Sequence, residues 1–150
     1  MKKLFSKTAL FCVAVLLTAC SASVPMANQA ESDKAKAFNV PDKSNAGLYI
    51  YRDSFLGKAL KKSIYIDGKL IGESAPDVFF YKKVGTGEHI ISTESEFGNN
   101  DLKFTAEGGK NYFVRQYIRM GVLGGQAALE MKSEEEGKQA VSKLNMAITQ

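Results

Sequence analysis

The sequence predicts a mainly β fold, an antiparallel β-sandwich with one C-terminal α-helix. Three observations carry that expectation. Short runs of β-branched and aromatic residues recur from residue 47 onward, separated by turns rich in Gly and Asn. Asp67-Gly68 sits between two apolar runs, and the tight hairpin it marks needs positive φ at both central residues. Near the end, Ser133 with Glu136 three residues on forms a capping box ahead of a helical apolar period. The chain has 150 residues, 45% hydrophobic and 24% charged, enough for one domain with a sizeable core; a disordered or multi-span membrane protein is excluded.

Taken in order, the first seven residues hold Lys2, Lys3 and Lys7 and no acid, and residues 8–19 (TALFCVAVLLTA) are almost wholly apolar. These 12 residues are too few for a spanning helix, which needs about 20. Positive start, short apolar core and small residues before residue 20 are the layout of a secretory signal, residues 1–19. The whole chain carries 20 basic and 16 acidic residues, net charge +4 and pI near 9.0; without the signal the count is 17 against 16. The basic excess belongs to the signal, so no nucleic-acid partner is expected.

Leu17-Thr18-Ala19-Cys20, followed by Ser21, resembles the lipobox of bacterial lipoproteins. The resemblance implies cleavage before Cys20, a diacylglycerol on its thiol and an acyl chain on its amino group, with no other cofactor. Because Ser21 is not an aspartate, it also implies the outer membrane, with the domain on the periplasmic face. Two or three acyl chains hold a protein on a bilayer effectively for good. Cys12 leaves with the signal and Cys20 is capped, so no thiol remains for a disulfide, a nucleophile or a metal. Residues 21–45 are polar, hold two prolines and lack an apolar period; residues 20–46 are read as a flexible lipidated tether. A short helix near residues 30–37 would find nothing to bury it.

The folded part, residues 47–150, opens with a strand at 48–52 (LYIYR). Residues 63–66 and 69–72 flank the Asp67-Gly68 turn. Further strands are expected at 78–84, 88–94, 101–107 and 110–119. In the last of these, Tyr112, Val114, Gln116 and Ile118 form the set nearer the core, and Phe113, Arg115, Tyr117 and Arg119 the other face. Ala140, Val141, Leu144, Ala147 and Ile148 then recur at helical spacing, which predicts a helix over residues 133–147 that docks on the sandwich.

The stretch 64–72 (IYIDGKLIG), followed by Gly87-Glu88-His89-Ile90-Ile91, resembles the PEGA-type β-sandwich pattern, a strand–Asp-Gly–strand hairpin followed by a Gly-x-His that opens the next strand. The chain departs from that pattern in having Thr86 where a proline usually precedes the glycine. With the lipobox, the 48–52 strand and 107–115 (EGGKNYFVR), the whole is similar to a family of small bacterial lipoproteins of unknown function. The resemblance implies a PEGA/immunoglobulin-like sandwich and an envelope address, and no established activity.

His89 is the only histidine, so any imidazole chemistry must use it. No Gly-x-Ser-x-Gly elbow or His-x-x-x-His spacing accompanies it, and a structural role at a strand start is expected. Glu94, Glu96, Asn99, Asn100 and Asp101 offer hard oxygens, but calcium needs six to eight in a fixed wrap, and no metal site is expected. Asp53, Asp67, Glu73 and Asp77 could form a carboxylate pair, though nothing in the spacing sets its separation. Residues 121–125 lack the Gly-Lys-Ser/Thr of a phosphate loop and read as an apolar hairpin tip open to contact. The best surface patch is Arg52, Phe113, Arg115, Tyr117 and Arg119, where guanidiniums alternate with rings. The expected function is non-catalytic: an outer-membrane lipoprotein that serves as an envelope interaction or scaffold module, or as an accessory subunit of an assembly with an envelope protein partner. A small-ligand module for glycan or lipid is second and an enzyme third.

Overall fold

The computed structural model describes residues 21–150; the signal segment and Cys20 lie outside the described residues. The fold is mostly β, two unclosed sheets packed as a sandwich, with two short helices. The elements are α1 (Gln29–Lys36), β1 (Asn45–Arg52), β2 (Lys62–Ile66), β3 (Lys69–Ser74), β4 (Val78–Gly85), β5 (Gly87–Ser95), β6 (Gly98–Ala106), β7 (Asn111–Met120), β8 (Gly125–Lys132), α2 (Glu134–Val141) and β9 (Asn145–Met146). One sheet runs β8-β7-β1-β4-β9 and the other β3-β2-β5-β6.

Hairpin chemistry fixes the neighbours. Asp67 and Gly68 both have positive φ, 51° and 76°, as the two-residue turn between β2 and β3 requires. β5–β6 and β7–β8 are likewise antiparallel hairpins. Two pairings depart from the antiparallel expectation: β1 is parallel to β7, and β4 to β9. Turn signals report only on strands adjacent in sequence, and these partners are far apart in the chain.

β1 is buried on both faces. Ala46, Leu48 and Ile50 enter the core between the sheets with Ile64, Ile71, Phe80, Ile91 and Val114. At one end that core turns polar: Gln116 accepts from the Ser74 hydroxyl and donates to Thr93 at 2.7 Å, linking the two sheets. Tyr49 and Tyr51 point the other way, into a second core with Phe79, Phe113, Ala35, Val141 and Leu144. The rings of Tyr49 and Phe113 stack at 4.8 Å, and Phe38 packs on both.

That second core corrects the reading of residues 20–46 as a tether. Asn28 caps α1 by accepting from the Glu31 N–H, Ala35 and Ser32 are buried, and the Tyr49 hydroxyl donates to the Ala35 carbonyl at 2.8 Å. Ahead of α1, Met26 bridges Ala147, and the Ala22 N–H donates to the Lys58 carbonyl at 2.8 Å. An eight-residue helix is marginal alone, so these contacts hold it. Phe38 adopts a φ of 53°, unfavourable for a bulky residue, and its packing against both rings offsets that cost.

The C-terminal helix is also shorter than predicted. The Ser133–Glu136 capping box forms, but α2 stops at Val141. The Ser142 hydroxyl turns back onto the Lys138 carbonyl, and residues 145–146 pair with Val78 and Phe79 as β9. Ala147 then enters the inter-sheet core while Val141 and Leu144 join the second, so the apolar residues at helical spacing are divided between the two cores.

Gly137 lets α2 approach the second core, since a Cβ there would collide with the Phe113 ring. Gly137→Ala raises helix propensity by about 1 kcal/mol, yet overpacking typically costs about 1–3 kcal/mol. The expected result is net destabilisation of about 1 kcal/mol in urea unfolding; a stabilised variant would contradict this packing.

Candidate functional site

The residues expected to form one patch separate in the structure. Arg52 is not on the surface: it is fully buried, donating to the Leu60 carbonyl at 2.7 Å and the Gly57 carbonyl at 2.6 Å. Its place among Ala46, Leu48 and Ile50 on the inner face of β1 makes it a plug under residues 53–61. Burial pulls its guanidinium below the usual value, and the charge of Asp77 opposes that. Phe113 is buried as well, because α2 and Phe38 cover what alternation alone marks as an open face. Arg119 is exposed near the end of β7.

Arg115 and Tyr117 remain part-exposed, and Arg115 borders a cleft of about 450 Å³ between α2 and the five-stranded sheet. Its Nε donates to Asp53 at 2.7 Å and its second arm to Glu130, directly across on β8, at 3.2 Å. Those hydrogen bonds, Asp53 first, raise its pKa against partial burial. Lys132 lies 3.3 Å from Glu130 and 4.0 Å from Glu136. The guanidinium also sits 5.8 Å from the Tyr117 ring. Burial, aided by the charge of Asp53, pushes the Tyr51 hydroxyl at the cleft floor up to about 12, so it stays protonated. The cleft presents paired ions, with Gln139 and Lys143 on its rim. It can receive an anionic or polyhydroxyl group by exchanging a partner. Asp53 and Asp77 both line it, while Asp67 is at the opposite end of the sandwich.

At that opposite end His89 is held at both nitrogens. Nδ1 meets the Asp67 carboxylate at 2.6 Å and Nε2 the Gly85 carbonyl at 2.8 Å. Both partners only accept, so the protonated ring donates from both nitrogens and neither nitrogen faces an open site. Asp67 also accepts from the Ile90 N–H at 2.9 Å, tying the β2–β3 turn to β5.

Glu96, read from sequence as an acidic-turn oxygen, braces a neighbouring loop. Its carboxylate accepts from the N–H groups of Val122, Leu123 and Gly124. Glu94 accepts from the Ser63 N–H and lies 3.8 Å from Lys62. What sequence reasoning missed is Asp53 and Glu130 as partners of Arg115. The Arg115/Glu130 register was available only once β7 and β8 were paired.

The His89–Asp67 pair sets a pH dependence. Burial alone would lower the His89 pKa, but the Asp67 hydrogen bond, the Gly85 carbonyl and the Asp67 charge together raise it; desolvation would raise the Asp67 pKa, but the Ile90 N–H and the hydrogen bond and charge of His89 together lower it. A raised histidine contributes stability that is complete below its ordinary value of about 6.5 and is lost as pH rises through the raised value. Urea melts should therefore show the protein losing stability as pH rises above about 6.5. Asp67→Asn keeps one of the two accepting oxygens and removes the charge, so its further loss as pH rises should be smaller. Equal losses would contradict the ion pair.

Comparison with known proteins bears on family and not on activity. The family described as "Protein of unknown function (DUF2846)" matches residues 42–128. The chain is also similar to an uncharacterized protein of Haemophilus influenzae, with 64% identity over 148 residues covering 99% of this chain and 88% of that relative. No solved structure matches. The matched span runs from the turn before β1 into β8, and on these two similarities the chain belongs to the DUF2846 family of proteins of unknown function.

Proposed function

We propose that this chain is a lipid-anchored envelope protein that acts by contact rather than by catalysis, as a scaffold module or an accessory subunit of a larger assembly. The address follows from the lipobox resemblance at residues 17–20: an acylated Cys20, the outer membrane, and a PEGA-like sandwich on its periplasmic face. The non-catalytic reading is carried by one observation, the way the chemistry-bearing side chains are spent. His89 uses both nitrogens, Arg115 is shared by Asp53 and Glu130, and Glu96 is consumed by three backbone N–H groups. Groups satisfied in this way hold a shape and leave no poised base or nucleophile among them.

A second reading, binding of a small anionic or sugar ligand, is favoured by the cleft beside Arg115, where Lys132, Gln139 and Lys143 converge.

Cross-linking of the tagged, lipidated protein in intact bacterial cells, beside a Cys20→Ala control, separates these readings. A discrete protein adduct lost in the control is the expected result. Monomer alone in both samples would overturn the scaffold reading and leave the Arg115 cleft as the site to test with ligands.

A further inference from the structure

The largest exposed apolar side chains are gathered at one end of the sandwich. Phe55 is 80% exposed, Phe97 81%, Met120 72%, Val122 88% and Leu123 79%. Phe55, Phe97, Val122 and Leu123 come from three separate connections, the 53–61 loop after β1, the β5–β6 turn and the β7–β8 turn, and Met120 ends β7 beside the last of these. Strand pairing brings these together. Arg52 at the end of β1, Lys62 at the start of β2, Ser95 at the end of β5 and Met120 at the end of β7 all lie at that end. Water-exposed apolar groups on three converging tips mark a contact surface rather than scattered exposure.

The tips are held in place by charge. The buried Arg52 guanidinium grips the carbonyls of Gly57 and Leu60, fixing the first loop, which also lies against Ile118 and Gly125. Glu96, beside Phe97, grips the N–H groups of Val122, Leu123 and Gly124 and so ties the second tip to the third. Burying a cation that has only carbonyls as hydrogen-bond acceptors is costly. A structure that does so to present Phe55 and Leu56 to water has preorganised them for an apolar partner.

The chain itself indicates the partner. The Ala22 N–H is bonded to the Lys58 carbonyl in the first loop, so the chain leading back to residue 20 leaves from among the tips. Two residues of chain reach no further than about 7 Å. Lys58 lies over the Phe55 ring at 4.8 Å, and Lys61 and Arg119 flank the tips. Of the carboxylates at this end, Asp53 is paired with Arg115, Glu94 with Lys62, and Glu96 accepts from backbone N–H groups, while Glu73 and Asp77 are exposed. Apolar tips with basic residues beside them suit an anionic lipid surface.

We infer that this end of the sandwich seats in the headgroup region of a lipid bilayer, with Phe55, Phe97, Met120, Val122 and Leu123 as its inserting side chains. The inference rests on the Cys20 anchor proposed above, and it makes the domain a body standing directly on the membrane.

The test uses lipidated full-length protein carrying Leu123→Cys, an exposed position, or Lys69→Cys at the opposite end. Each is labelled with a fluorophore and reconstituted into protein-free vesicles of phosphatidylethanolamine and phosphatidylglycerol. Intact mass is read first on the same sample. With the lipid adduct present, shallow spin-labelled lipid should quench the label at 123 several-fold more than that at 69, and the label at 123 should be shielded from aqueous iodide. An adduct with equal quenching and full iodide access at 123 would overturn membrane seating while leaving the anchor intact, and would assign the tips to a protein. Absence of the adduct would overturn the anchor and, with it, this inference.

Discussion

The constraint on which the rest of the structure depends is that β1 has no face left for water. Its inner side chains fill the space between the sheets, and its outer ones, Tyr49 and Tyr51, require a cover. A sheet face carrying Tyr49, Phe79 and Phe113 would lose the hydrophobic stabilisation of those rings if left open, roughly 1.5–3 kcal/mol for each large side chain. The cover is built from two helices of eight residues each and from Phe38. Neither helix is stable in isolation, so helices and sheet face depend on each other. The Tyr49 hydroxyl on the Ala35 carbonyl and Gly137 against Phe113 fix where the two helices sit.

The two ends of the sandwich are finished in different ways. At the Asp67–His89 end, an ion pair ties one turn to the next strand, and the exposed large apolar residues there, Leu70 and Ile90, are only 36% exposed. At the other end, Arg52 is buried on loop carbonyls and Glu96 is bonded to loop N–H groups, and the tips presented outward are apolar with basic residues beside them. In both cases a charged side chain replaces the hydrogen bonds that irregular backbone cannot make with itself. The charges therefore account for loop geometry before any ligand is considered.

Much of the local chemistry is legible in the sequence, although the helical period over residues 140–148 overstates the length of α2. The Asp67-Gly68 turn, the Ser133–Glu136 box and the inward set of Val114, Gln116 and Ile118 all follow from neighbours within a few residues. Features set by distant partners were not legible. Period-two alternation puts Phe113 on the face opposite Val114 but does not show that α2 covers that face. Arg52 has the composition of a surface residue, and only the loop carbonyls it meets explain its burial. Residues 26–38 looked like a linker because their apolar members, Met26, Ala35 and Phe38, follow no period. Met26 meets Ala147, while Ala35 and Phe38 both meet Tyr49 and Phe38 also meets Phe113.

The central claim is that the folded unit begins ahead of α1 rather than at β1, so that any anchor at Cys20 joins the sandwich without a long free tether. Amide hydrogen exchange on the full-length protein tests it most directly. The N–H groups of Ala27, Ser32 and Ala37, bonded to Met146, Asn28 and Asp33, should show protection comparable to that of the central β1 amides. Exchange of all three at the rate of an unstructured chain, with β1 still protected, would restore the tether and contradict the account.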